Sequence, residues 1–245
     1  MIRLVGLLLA GILMNVNAAD RDTSAAPEDT KFSEAETLLW MTDQLKAVTK
    51  PIVLTYEFEK SGSLESGFKD TVVFTISKVK ADGMKSAALG FFTDERNFPV
   101  PPEDSTNKNP AVKIYFQGDV YEMNRLTDPN GAARERWRYF QRRIKLALAE
   151  AAAVTPAQFE FGGKQYHGKT IVIQPYAKDP KRQEFEKFAD KSYAVTVADD
   201  LPGYLYRIET VVPDKTAGAA PLLHEVLQLN SVKPFPGYDK VQSAK

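Results

Sequence analysis

Two histidines, the absence of cysteine and one arginine-rich segment bound the chemistry open to this chain. Without cysteine there is no disulfide, no zinc–thiolate site, no iron–sulfur cluster and no cysteine nucleophile. His167 and His224 are too few for a histidine-rich metal site. His224 stands beside Glu225 in a segment that reads as a strand, where neighbours face opposite sides, so the two cannot pair with each other. His167 lies in a glycine-flanked stretch near a turn. No serine occupies a Gly-x-Ser-x-Gly setting, although a triad can be scattered along a chain. A hydrolase using His167 or His224 is therefore the enzymatic alternative. The acidic pairs Asp94-Glu95 and Asp199-Asp200 fall in loops, where such pairs are ordinary surface. At most the second would hold calcium weakly. Gly162-Gly163-Lys164 is too short for a phosphate loop and reads as a hairpin turn. No cofactor is expected.

The arginine-rich segment lies on the clearest helix, predicted over residues 132–153. At 100° per residue Trp137, Phe140, Ile144 and Leu148 share one face and should pack on a sheet. Arg134, Arg138, Arg142 and Lys145 fall within roughly 80° of one another on a second stripe. Such a stripe is either a solvated face or a surface for phosphate, an acidic lipid head group or an acidic envelope protein. Aromatic residues also crowd the predicted strands, Tyr56, Phe58 and Phe74 among them. They either fill a core or line a curled sheet that holds an apolar ligand. The candidate ligand-binding residues are then Tyr56, Phe58, Phe74, Trp137 and Phe140.

The elements that must position these residues can be traced along the chain. Residues 1–18 have the parts of a secretory signal: Arg3, an apolar run over 4–14, and Val16 and Ala18 at the −3 and −1 positions of a cut. An apolar run of about 11 residues is shorter than the ~20 a membrane span needs. Residues 19–31 read as a polar, disordered leader. The mature chain should be a soluble periplasmic or secreted protein with no transmembrane segment. Signal removal takes Arg3 from the 32 basic residues and leaves 31 against 32 acidic ones. That balance argues against a nucleic-acid partner.

Ser33 and Glu36 make a capping box ahead of a helix predicted to run to Val48, before Pro51. Strands are predicted at 52–59, 71–79 and 84–93, forming a meander. Residues 94–110 carry four prolines and read as loop. A strand at 112–117 and a short helix at 120–126 follow, split by Gly118-Asp119. Beyond the long helix, strands are predicted at 159–161, 165–174, 193–198, 204–212 and 222–229, with a helix at 180–190. Strands arriving in hairpins predict an α+β fold: a curled antiparallel sheet of about nine strands with about four helices packed on one side. Residues 32–245 should form a single domain, the alternative being a split near 155.

The segments LTYEFEKSGSL (54–64) and IQPYAKDP (173–180), with the Pro202-Gly203 strand turn, resemble an uncharacterised family of exported bacterial proteins. That resemblance extends over most of the mature chain and implies a class and a compartment but no site. The element order, an opening helix, a meander and helices against a curled sheet, is similar to the periplasmic carriers of outer-membrane lipoproteins. The likeness implies an apolar cavity under a helical lid, and hence non-enzymatic binding of an apolar or lipid ligand. The alternative is an interaction protein that docks through the basic stripe.

Overall fold

Period-two alternation decides the sheet. In β1 (Ile52–Ser61) Leu54, Tyr56, Phe58 and Lys60 point to one side and are buried, while Glu57 and Glu59 face water. β2 (Phe68–Val79) buries Val72, Phe74 and Ile76 by the same alternation. β3 (Lys85–Phe91) buries Ala87, Leu89 and Phe91. The computed structural model describes residues 31–128, 136–216 and 218–236. The predicted export signal at 1–18, nearly all of the predicted leader and Arg134 therefore lie outside the described residues.

The remaining strands are β4 (Glu103–Thr106), β5 (Ala153–Phe161), β6 (Lys164–Ile173), β7 (Ser192–Val197), β8 (Leu205–Val212) and β9 (Leu223–Pro234). All nine join one open antiparallel sheet in the order β4-β3-β2-β1-β9-β8-β7-β6-β5. The last strand inserts between β1 and β8 and so ties the two ends of the chain together. Strands on both sides of residue 155 belong to this same sheet.

β7 covers only half of β6: pairing between them runs over Lys169–Ile173, so the distal half of the β5–β6 hairpin overhangs without a β7 partner. Phe159 at that overhang stacks on Tyr206 of β8, 3.8 Å between ring centroids and 9° from parallel. Gly168 permits the bend. A Cβ there would lie 2.0 Å from the Val197 carbonyl oxygen, inside any allowed contact.

Helices cover the face that the strands bury. α1 (Glu34–Glu36) starts on the Ser33–Glu36 capping box and continues as one π-helical turn, Thr37–Met41. α2 spans Ala111–Thr127 and α3 spans Arg136–Glu150. Asn109 braces the start of α2: its Oδ1 accepts from the Ala111 amide, and its Nδ2 donates to the Tyr56 hydroxyl and the Gly203 carbonyl, both at 2.8 Å. The architecture is α+β, with helices on one side of a curled nine-stranded sheet.

Several elements differ from their sequence reading. The predicted strand at 112–117 is the first half of α2. Val112, Tyr115, Phe116, Asp119, Val120 and Met123 are all buried, a helical spacing that passes straight through Gly118. The missing strand is β4, inside the proline-rich segment, on the sheet's edge where prolines nearby break few ladder bonds. The opening helix stops at Met41 rather than Val48. Residues 180–190 contain 3-10 turns broken at Phe185 (φ −140°, ψ 42°) instead of a regular helix. β5 is longer than predicted and holds Pro156, which an edge strand tolerates.

Candidate functional site

The middle of the curled face is filled by side chains. Tyr56, Phe74 and Phe140 have no solvent exposure. Tyr56 hydrogen-bonds Asn109, and burial raises its pKa despite that bond. Phe140 meets Tyr176 and Phe185 edge-on at 5.5 and 5.6 Å. These residues form the core between the layers. Of the candidates named from sequence, Phe58 and Lys145 line open space. Trp137 does not lie on the sheet: it is half-buried, with its ring 5.8 Å from that of Tyr121 on α2 and the Arg138 guanidinium 5.4 Å from its centroid. Arg142 and Lys145 are exposed on α3.

One open space is a cleft between helices. Trp40, from the π-turn after α1, and Phe116, Val120, Ile144 and Leu148 from α2 and α3 make its apolar walls. Its volume is about 320 Å³, within the ~300–1,000 Å³ range of small-molecule sites. Lys113 and Lys145, exposed on opposite helices, stand at its rim, and Gln117 and Gln141 also line it. Phe116 packs edge-on against Trp40 at 6.5 Å and, tilted, against Tyr193 of β7 at 5.5 Å.

A second space, of about 160 Å³, lies between α2 and the β1–β3 end of the sheet. Phe58, Phe68, Phe91 and Phe92 wall it, and Lys60, Asp119, Glu122 and Glu225 lie against it. Ion pairs hold its polar side. Lys60 donates to Glu122 through a short contact, to Glu65 at 3.1 Å, and sits 3.3 Å from Glu225. Arg125 at the surface pairs with Glu65 at 2.7 Å. Deeper in, Asp119 accepts from Lys191 and from the Tyr193 hydroxyl, the latter at 2.5 Å. The Tyr115 hydroxyl sits 2.7 Å from Thr210 Oγ1 and donates to Glu225 at 3.3 Å.

The environment tunes these groups. Burial, reinforced by Glu122 and Asp119 and opposed by Lys191 and Lys60, pushes the Glu225 carboxyl up to about 7. Burial lowers the Lys60 pKa, but the carboxylates Glu225 and Glu122 outweigh it and raise the ammonium above its ordinary range. Burial raises the Glu65 carboxyl, and the hydrogen bonds from Arg125 and Lys60 more than reverse that. Asp119, Glu122 and Glu225 bring carboxylate oxygens within 4.8 Å of one another, a spacing that would suit a cation. Lys60 and Lys191 pair with three of these carboxylates: Lys60 with Glu122 and Glu225, Lys191 with Asp119.

The sequence reading does not pick out this cluster: Glu225 enters it only as the neighbour of His224, and Asp119 as part of a turn. One signal was available: Lys60, Asp70 and Glu225 fall on the buried phase of their strands' alternation. A charged residue on that phase needs a partner.

The histidines stand apart from both spaces. His224 faces the outer side of the sheet, where its Nε2 lies 2.7 Å from Glu209 Oε1. It is separated from Glu225, which is on the buried side. Burial raises the Glu209 carboxyl, and His224 and Arg207 together bring it below its usual range. Ser61 is the cross-strand partner of His224, but its hydroxyl lies 3.5 Å from the His224 carbonyl oxygen. His167 is exposed on β6 beside Lys169 and Asp199.

Comparison with protein-family models finds no match, and comparison with curated proteins finds none either. Among solved structures, LprF from Mycobacterium bovis aligns over 82% of this chain and 94% of its own, at 14% identity and a TM-score of 0.31. A LolA superfamily protein from Nitrosomonas europaea aligns over 84% of this chain and 96% of its own, at 8% identity and a TM-score of 0.23. At such values neither neighbour lends a ligand or a site residue to this chain. Among the described residues, no helix is long and apolar enough to cross a membrane.

Proposed function

We infer that this protein is a non-catalytic binder of an amphiphile that has one apolar chain and an anionic head. The observation that carries this reading is the cleft walled by Trp40, Phe116, Val120, Ile144 and Leu148, with Lys113 and Lys145 at its mouth. An apolar interior rewards chain burial at ~25 cal/mol per Å². Two lysines on facing helices supply charge where a carboxylate or phosphate head would emerge. The lid and the site are thus the same helices, and the ligand lies between them rather than between helices and sheet. The compartment belongs to this reading and is supported by the signal-like residues 1–18.

Titration with dodecanoate tests it, using a Trp137→Phe background so that Trp40 alone reports. Saturable one-to-one binding with a shift of Trp40 emission is expected. Lys113→Glu with Lys145→Glu should weaken dodecanoate about tenfold, the size of one lost ion-pair contribution near 1.4 kcal/mol. The same double change should spare an uncharged dodecyl ligand. No binding to folded protein by fluorescence or native mass spectrometry would overturn the reading. For the compartment, an exported product beginning at Ala19 is expected; an intact Met1 on a membrane-bound product would contradict it.

A further inference from the structure

We propose that the phenylalanine-walled cavity beside α2 is a second binding site, for a small primary alkylammonium ion. Four phenylalanines surround it: Phe58, Phe68, Phe91 and Phe92. Their rings form one contiguous wall, with Phe92 4.7 Å from Phe58, 5.8 Å from Phe68 and 4.6 Å from Phe91. Aromatic faces attract cations, and this wall already does so: the Arg96 guanidinium lies 4.8 Å from the Phe68 centroid.

The polar side of the cavity supplies the counter-charge. Four carboxylates, Glu65, Asp119, Glu122 and Glu225, face three cations, Lys60, Arg125 and Lys191. The unmatched negative charge falls on Glu225. Asp119 takes Lys191 and Tyr193, and Glu122 takes Lys60 in a short contact. Glu225, only 5% exposed, holds two contacts of 3.3 Å, and one of those comes from a tyrosine whose nearer partner is Thr210. A buried carboxylate left this way either keeps a proton or takes a cation. A primary ammonium brings three donors and a positive charge, and its alkyl stem suits phenylalanine walls.

Gly118, exposed in the middle of α2, lines the cavity, and a Cβ there would meet nothing within 4 Å. A large side chain at this position would stand at the cavity's edge.

Calorimetric titration of the full chain with n-butylammonium, against the uncharged n-pentanol, tests the proposal. At pH 8.5 n-butylammonium should bind about tenfold tighter than the alcohol, the worth of a desolvated cation contact of ~1–2 kcal/mol. Its affinity should fall at pH 5.5, and binding near neutrality should release a proton, seen as a heat that varies with the buffer's ionisation enthalpy. Gly118→Leu should abolish binding of both probes. Glu225→Gln, of the same shape, should reduce the preference for the cation to about unity while the alcohol still binds. O-phosphoethanolamine should bind more weakly than n-butylammonium, because its phosphate meets the same carboxylates. Equal binding of alcohol and amine would overturn the proposal, as would an unchanged preference in Glu225→Gln. Tighter binding of O-phosphoethanolamine would overturn the assignment to a simple alkylammonium.

Discussion

Lys191, with no solvent exposure, donates to Asp119, itself almost fully buried, across 72 positions of sequence. The pair joins the 3-10 segment's exit to the middle of α2, and the Tyr193 hydroxyl completes the acceptor's shell. A buried ion pair is costly to break because the survivor stays charged without a partner. Asp119→Asn or Lys191→Met alone should each cost about 3–5 kcal/mol. The double change should cost less than the sum of the two, since it removes both charges. Urea midpoints for the three variants and the parent close the cycle. Additive losses would mean that the two charges do not act on each other.

Glu225 sets a pH dependence of its own. Its carboxyl is raised to about 7 in the folded chain, against an ordinary value near 4.5. Between those two values the folded state holds a proton that the unfolded chain has released. Stability therefore falls as pH rises from about 5 to about 7, and the loss is complete above that. The groups facing it are Lys60 from β1, Asp119, Glu122 and Tyr115 from α2, Thr210 from β8 and Lys191 before β7. The carboxylates Glu65 and Glu209 act in the other direction, since both are lowered on folding. Their contribution disappears only as pH falls below the ordinary carboxylate range. Unfolding free energy measured in urea at half-unit pH steps should show the neutral-range decline in the parent, and Glu225→Gln should flatten it.

The two aromatics of α3 should differ in weight. Phe140 has no exposure and contacts Tyr176 and Phe185, so Phe140→Ala should cost about 3–5 kcal/mol. Trp137 is half-buried on Tyr121, so Trp137→Ala should cost less than about 2 kcal/mol. The order of their urea midpoints is the check. A larger loss at Trp137 would mean that the α2–α3 contact, rather than the core beneath it, holds α3 in place.

Trp137 also shows how far sequence could be read. Helical spacing placed it on a stripe with Phe140, Ile144 and Leu148, and those three are buried. A stripe's edge position can still turn toward a neighbouring helix, and here that helix is α2, which the sequence reads as a strand and a short helix split at Gly118-Asp119. Over so short a window as 112–117, apolar residues do not distinguish strand from helix. The hairpin strands were legible because glycine and proline turns bracket them, as at Gly162-Gly163 and Pro202-Gly203. The insertion of β9 beside β1 was not, since pairing between distant strands leaves no local mark. The buried charges were hidden for the same reason: Lys60, Asp119, Lys191 and Glu225 come from four separate parts of the chain. Each looks like surface until the partner is known.

Two glycines give opposite expectations, and together they test both the curl of the sheet and the openness of the second cavity. Gly168 lies where β6 bends past β7, with the Val197 carbonyl oxygen 2.0 Å from any added Cβ and the Ala198 Cβ at 3.0 Å. The nearest neighbour is backbone, which cannot swing aside as a side chain would. Gly168→Ala must therefore push β6 and β7 apart, at a cost of about 1–3 kcal/mol or more. The overhang that brings Phe159 onto Tyr206 should loosen with it, and exchange protection of β5 amides should drop. Gly118 has ordinary helical surroundings and open space where its Cβ would point. Gly118→Ala should stabilise the protein by about 0.5–1 kcal/mol through helix propensity alone. Thermal and urea unfolding of the two variants should move in opposite directions. A loss of stability at Gly118→Ala would mean that another group packs on that stretch of α2 in solution.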